Sequence, residues 1–230
     1  MFVTVLAPSR AAALALVLLA GCGGSGASAP LATARTATAG ATATAAPQAG
    51  GITFNVDPAS KATVRVREQL ARVPAPSDAV LTITGAQGRF TLNTDGTFSS
   101  GSKISVDMTT ISSDESQRDG FIKRETLETN RFRIAELAPR KVSGLALPLA
   151  PSGDFAFMLT GDLTLHGVTK SVTFDVKATR NGSKLMATAT ANPSWKFGDF
   201  GMTVPSSFSV LSVVDDIRME FALVANEVRA

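Results

Sequence analysis

Residues 155–176 read Phe155-Ala156-Phe157-Met158-Leu159-Thr160-Gly161-Asp162-Leu163-Thr164-Leu165-His166-Gly167-Val168-Thr169-Lys170-Ser171-Val172-Thr173-Phe174-Asp175-Val176. Large apolar side chains recur at every second position: Phe155, Phe157 and Leu159, then Leu163 and Leu165, then Val172, Phe174 and Val176. A period of two sends successive side chains to opposite faces, so each run is a strand with one buried face. His166-Gly167 sits where a two-residue turn would join the runs, which makes them antiparallel neighbours.

The same alternation extends outward in both directions. Val64 and Val66 alternate with Thr63, Arg65 and Arg67, and Leu81 and Ile83 with Thr82 and Thr84. Ile104, Val106 and Met108 share one face, and Ile217, Met219, Phe221 and Leu223 close the series. Asp95-Gly96 and Asn181-Gly182 supply further turn chemistry, since these pairs accept positive φ. Many amphipathic strands and little helix predict an all-β sandwich or barrel, and periodicity alone leaves both open.

One segment breaks the period. Ser112-Ser113-Asp114-Glu115 has the form of a capping box, and the charged stretch up to Leu137 predicts one or two short helices. Phe121, Ile122, Leu127, Phe132 and Ile134 are the expected contacts with the barrel.

The region before residue 50 is of another kind. Arg10 precedes the apolar run 11–20, which falls short of the roughly 20 residues that span a bilayer and reads as the core of a signal peptide, residues 1–21. Leu19-Ala20-Gly21-Cys22 resembles the bacterial lipobox, whose cysteine is acylated. Cleavage after Ala27-Ser28-Ala29 is the alternative, with Pro30 poorly placed behind the scissile bond. Residues 22–50 are mostly Ala, Thr, Gly and Ser, too poor in large apolar side chains to offset ordering entropy, and predict a disordered tether. The β domain then occupies residues 51–229. Cys22 is the only cysteine, so that domain has no disulfide.

Charge excludes some functions. The chain has 22 basic and 19 acidic residues, and Arg10 and Arg35 are the only charged ones before residue 50. The domain is thus nearly neutral, without the basic patch a nucleic-acid partner requires. His166 is the only histidine, so a transition-metal site is not expected and a Ser-His-Asp triad would have to use a residue at a hairpin tip. That place predicts an ordinary polar turn residue. Asp199-Phe200-Gly201 matches a kinase tripeptide, but the other sequences of a kinase site are missing.

Several segments, in order, resemble the YceI-like family of bacterial periplasmic lipid-binding proteins. They are Phe54-Asn55-Val56-Asp57-Pro58-Ala59-Ser60, Gly88-Arg89-Phe90, Ile104-Ser105-Val106-Asp107, Arg118-Asp119, the hairpin Gly161-Asp162-Leu163-Thr164-Leu165-His166-Gly167-Val168-Thr169-Lys170, and Asp199-Phe200-Gly201. The resemblance implies an eight-stranded antiparallel lipocalin-like barrel around an apolar tunnel that takes a polyisoprenoid or isoprenoid quinone, without catalysis. Two positions depart from the family. Gly120-Phe121-Ile122 follows Arg118-Asp119 where a histidine is usual, and Phe197 stands where a basic residue is expected.

On that reading the tunnel wall comes from the apolar faces already described: Val64 and Val66, Ile104 and Val106, Phe157, Leu163 and Leu165, Phe174 and Val176, and Met219, Phe221 and Leu223. No catalytic residue, catalytic cofactor or metal ligand is expected. The expected partners are an isoprenoid lipid and, through acyl chains on Cys22, a bacterial membrane; a homodimer is compatible with this. The expected location is extracytoplasmic, on the periplasmic side or the cell surface. Two other readings compete. One is a surface interaction module whose barrel is filled by its 13 Phe and other apolar side chains; the other is a hydrolase working through His166. Phe174→Asp separates the first two, because a charge tolerated in an open tunnel unfolds a packed core.

Overall fold

A computed structural model describes residues 50–228. The expected signal peptide, Cys22, residue 229 and all of the tether except Gly50 lie outside the described residues.

Ten antiparallel strands follow in chain order: β1 (Ile52–Val56), β2 (Lys61–Leu70), β3 (Ser77–Ile83), β4 (Gln87–Leu92), β5 (Lys103–Asp107), β6 (Ile134–Ser143), β7 (Ser152–Leu165), β8 (Val168–Asn181), β9 (Lys184–Ala191) and β10 (Val210–Glu227). They fill eight positions of a closed ring, because two pairs lie end to end. β1 and β2 run one after the other along β10, with Val56 opposite Ala225 and Lys61 opposite Ala222. β4 and β3 track them on the far edge, with Phe90 opposite Phe54 and Ile83 opposite Ala62. From β4 the ring passes through β5, β6, β7, β8, β9 and β10 and closes on β1. This is the expected eight-stranded barrel.

The breaks within the paired strands have local causes. Pro58 cannot donate to a ladder, and the Asp57 carboxylate accepts from the Ala59 N–H at 2.9 Å. Ser60, fully buried, then restores the pairing with its side chain: its Oγ donates to the Val224 carbonyl at 2.9 Å and accepts from the Val224 N–H at 2.8 Å. The second break falls at Gly85, with φ of +74°. There the Thr110 hydroxyl accepts from the Thr84 N–H at 3.3 Å and donates to its carbonyl at 3.1 Å.

The hairpin that opens the sequence argument forms as expected. Leu165 pairs with Val168 across His166 and Gly167, at φ of +51° and +75°, the positive values of a primed turn. A Cβ on Gly167 would also meet the Phe132 ring at 2.6 Å. The β8–β9 turn sits one residue later than Asn181-Gly182 suggests: Asn181 pairs with Lys184 and the loop is Gly182-Ser183.

The helical segment is shorter than expected. Ser112 does not cap a helix; its backbone pairs with Thr82 at 2.8 and 2.9 Å and prolongs the sheet. The helix α1 (Ser116–Phe121) is capped by Glu115, whose carboxylate accepts from the Gln117 N–H at 3.2 Å, and it runs into a π-helical turn at Ile122–Thr126. Phe121, Ile122 and Leu127 face the barrel. Ile134 does not: Ala135 and Leu137 take the inward positions of β6, and strand parity leaves Ile134 47% exposed. Phe132 packs against His166 instead, with ring centroids 4.5 Å apart.

The two ends of the barrel differ. At the end where β1 begins the interior is packed solid: Phe54 stacks on Phe90 at 5.4 Å, and Phe98 meets Phe90 edge-on at 6.1 Å. Arg180 is buried at this end. It donates to Glu227 at 2.7 Å and to the carbonyls of Leu149, Ala150 and Gly182 at 3.0–3.2 Å, and its guanidinium lies 5.5 Å from the Phe54 ring centroid. A buried charge is tolerable only when so fully paired. The other end is hollow.

Candidate functional site

The hollow half is a cavity of about 1040 Å³, at the top of the roughly 300–1,000 Å³ typical of small-molecule sites. Its walls are the inward positions of β2, β3, β5, β6, β7 and β10. α1 and its π-helical turn lie on one flank, and Trp195, Phe197 and Met202 fill the gap left where β9 ends short of β8. Its floor is Phe174, 1% exposed, held edge-on to Trp195 at 6.0 Å, with Phe200 behind Trp195 at 5.4 Å.

The expected wall residues divide at that floor. Val64, Val66, Ile104, Val106, Leu163, Leu165, Phe174, Met219 and Phe221 line the cavity. Phe157, Val176 and Leu223 do not. Phe157 pairs with Val176 one step beyond Phe174 toward the packed end, and Leu223 lies one step beyond Phe221 in the same direction. All three contribute to the packed half of the interior.

One charged pair belongs to the cavity lining. Glu68, 6% exposed, accepts from Arg118 Nη2 at 2.8 Å, and Arg118 Nη1 donates to Asp114 at 2.7 Å and to Ser113 Oγ at 3.3 Å. β2 places Glu68 in step with Val64 and Val66, so an acidic residue at an inward position is the signal that sequence reasoning passed over. α1 delivers Arg118 to it. The two departures from the family pattern fall on the same cavity: Phe121, Ile122 and Phe197 all line it. Its polar lining lies at two places, around α1 with Glu68 and on the loops that carry Arg72 and Ser206, Ser207 and Ser209.

Two further devices hold the walls. Asp107 caps the Met108–Thr110 turn through the Thr109 N–H at 2.9 Å and accepts from Arg133 at 2.7 and 2.9 Å. The Arg133 guanidinium, then the Thr109 hydroxyl and amide, hold its carboxyl at about 2, below the usual 3.8. Met108 and Ile111, both buried, are fixed on the cavity wall by this turn. Lys170, then the Lys196 backbone N–H, lowers the Asp199 carboxyl in the same way, fastening the Phe197–Phe200 turn.

His166 is not the plain turn residue expected. Its side chain is largely covered, with Nδ1 3.1 Å from the Phe200 carbonyl and Nε2 3.2 Å from the Glu128 carboxylate. It ties the hairpin tip to two neighbouring segments, and no hydroxyl is among its hydrogen-bond partners. Nothing in the tip's sequence signals these distant partners.

A family model described as YceI-like domain matches residues 54–225, most of the barrel. The chain belongs to the YceI-like family. It is similar to a UPF0312 protein of Pseudomonas putida, with 36% identity over 134 residues, 50% of this chain and 63% of that protein. It therefore spans less than two thirds of that relative. A UPF0312 protein of Pseudomonas fluorescens is also 36% identical, over 55% of this chain and 68% of the relative. Among solved structures, the YceI-like domain resembles a polyisoprenoid binding domain from Saccharophagus degradans, with TM-score 0.56 and 14% identity over 75% of this chain and 97% of that one. Burkholderia cenocepacia BcnA gives TM-score 0.56 and 16% identity over 74% and 99%. At such identities the likeness is one of fold.

Proposed function

We propose that this YceI-like protein holds the isoprenoid chain of a polyprenyl lipid or quinone in its cavity, on the extracytoplasmic side of a bacterial membrane to which acyl groups on Cys22 anchor it. The observation that carries the reading is a large cavity with apolar strand walls, its polar lining confined to the α1 region with Glu68 and to the loops before β3 and β10. A prenyl chain is flexible and featureless, so its binding is driven by area removed from water, and a few placed polar groups suffice to orient its head. The polyisoprenoid-binding neighbour of the same fold supports this ligand class. A barrel filled throughout, as a surface module requires, is disfavoured by the cavity. Binding is favoured over turnover because both His166 ring nitrogens are engaged in holding structure.

Trp195 is the only tryptophan and lines the cavity, so its emission reports occupancy. Solanesol delivered from cyclodextrin should change Trp195 fluorescence saturably, and mass spectrometry of purified protein should recover a prenyl lipid. Protein that is always empty and optically silent to solanesol would overturn the proposal. Cys22→Ser should move the folded protein from the membrane to the soluble fraction; sedimentation that resists a salt wash would refute the anchor.

A further inference from the structure

Two segments form the rim of the cavity on the side away from the packed end. Residues 71–76 join β2 to β3, and residues 203–209 lead into β10; the Ala71 N–H donates to the Ser209 carbonyl at 3.0 Å and clasps them together. Two of the large apolar side chains exposed on the described surface stand on these segments, Val73 (40%) and Phe208 (109%), and two more, Leu211 (68%) and Val214 (48%), follow at the start of β10. Phe208 and Val73 also line the cavity, so the apolar surface continues from the interior out to solvent. Charge is scarce. Residues 201–214 contain no charged side chain, and the only one in residues 69–77 is Arg72. On the α1 flank the exposed Arg124 and Glu115 both reach the cavity lining. The turns of the packed end differ, with Asp95, Asp154 and Lys184 all exposed.

We propose that this rim is the docking surface for a phospholipid bilayer. Phe208, Val73 and Leu211 enter the head-group region, Arg72 and Arg124 face anionic phosphates, and a prenyl chain passes between bilayer and cavity without crossing water. An exposed aromatic among serines, beside arginines and without acidic neighbours on the two rim segments, suits an interface that is apolar below and anionic above. A protein partner would have to cover the same side chains while leaving the mouth usable. The inference rests on the lipid-carrier reading and gives its route of loading.

The test uses the full chain carrying Cys22→Ser, with one new cysteine at Ser207 beside Phe208 or at Asn181 on the packed end, each labelled with the environment-sensitive fluorophore NBD. Vesicles of phosphatidylcholine and phosphatidylglycerol carry doxyl quenchers in their acyl chains. The 207 probe should brighten, shift to the blue and be quenched, while the 181 probe stays unchanged. Adding Leu211→Ser, outside the cavity lining, should slow solanesol transfer from vesicles to Trp195 at least about tenfold, with uptake from cyclodextrin unaltered. Equal responses at 207 and 181, no response at 207, or a 207 response that needs only more protein and no vesicles would each overturn the docking surface. Failure of the cyclodextrin uptake alone would instead remove the carrier reading, while the depth of residue 207 still decides whether this rim enters a bilayer.

Discussion

The two halves of the barrel are built from the same alternating pattern and end in opposite states. Around Phe54, Phe90 and Phe98 the inward positions carry rings that meet across the axis, and Arg180 seals what remains. Around Val64, Ile104, Leu165 and Met219 the inward positions carry aliphatic side chains that leave the axis empty. Alternation decides which side chains point inward; their bulk and the kinks at Pro58 and Gly85 decide whether they meet. Packed rings give stability, and the hollow keeps its stability in its walls.

The strongest way to break this comparison is to truncate one residue in each half. Phe54→Ala should cost about 3–5 kcal/mol, the loss for a packed core phenylalanine. Leu165→Ala, facing empty space, should stay well below the roughly 2–5 kcal/mol of a packed leucine. Urea unfolding followed through Trp195 measures both, and equal costs would show that the hollow half is as tightly packed as the other. A smaller effect concerns the wall turn. The Asp107 carboxyl is lower in the folded state, about 2, than its ordinary 3.8. Its contribution is therefore complete above about pH 4 and lost as pH falls toward about 2. Asp107→Asn should flatten the pH dependence of the urea midpoint within that window and leave it unchanged in slope at neutral pH. The smallest effect on stability should come from Val106→Phe, whose added ring finds free volume instead of overpacking. Its unfolding midpoint should hardly move, while solanesol uptake falls; a midpoint drop as large as that of Phe54→Ala would mean the cavity closes in solution.

The antiparallel hairpins and the inward faces, which supply nine of the twelve expected wall positions to the cavity, follow from alternation and turn residues, whereas the closed ring is legible only through the family resemblance. The floor does not. Phe174 and Val176 lie on one face of β8, and only the long-range meeting of Phe174 with Trp195 puts one on the cavity and the other beneath it. Phe174→Asp therefore tests the floor, where a charge is as unwelcome as in any core, and does not discriminate an open tunnel from a filled barrel. Glu68 was legible by parity, and its partner was not, because Arg118 arrives on a helix 50 residues later. His166 stands at the hairpin tip its sequence predicts, but its partners were not legible either, because its hydrogen bonds reach residues 34 and 38 positions away. Local pattern carries the wall, and contacts distant in sequence carry the closure.

The chain reaches β1 at the packed end, so whatever precedes Gly50 is fastened to the base of the barrel, opposite the rim. An acyl anchor at Cys22 would then hold the molecule like a cup on a string tied to its foot. Residues 23–50 extend at most about 95 Å, more than the roughly 60 Å of strand path along the 18 residues of β10.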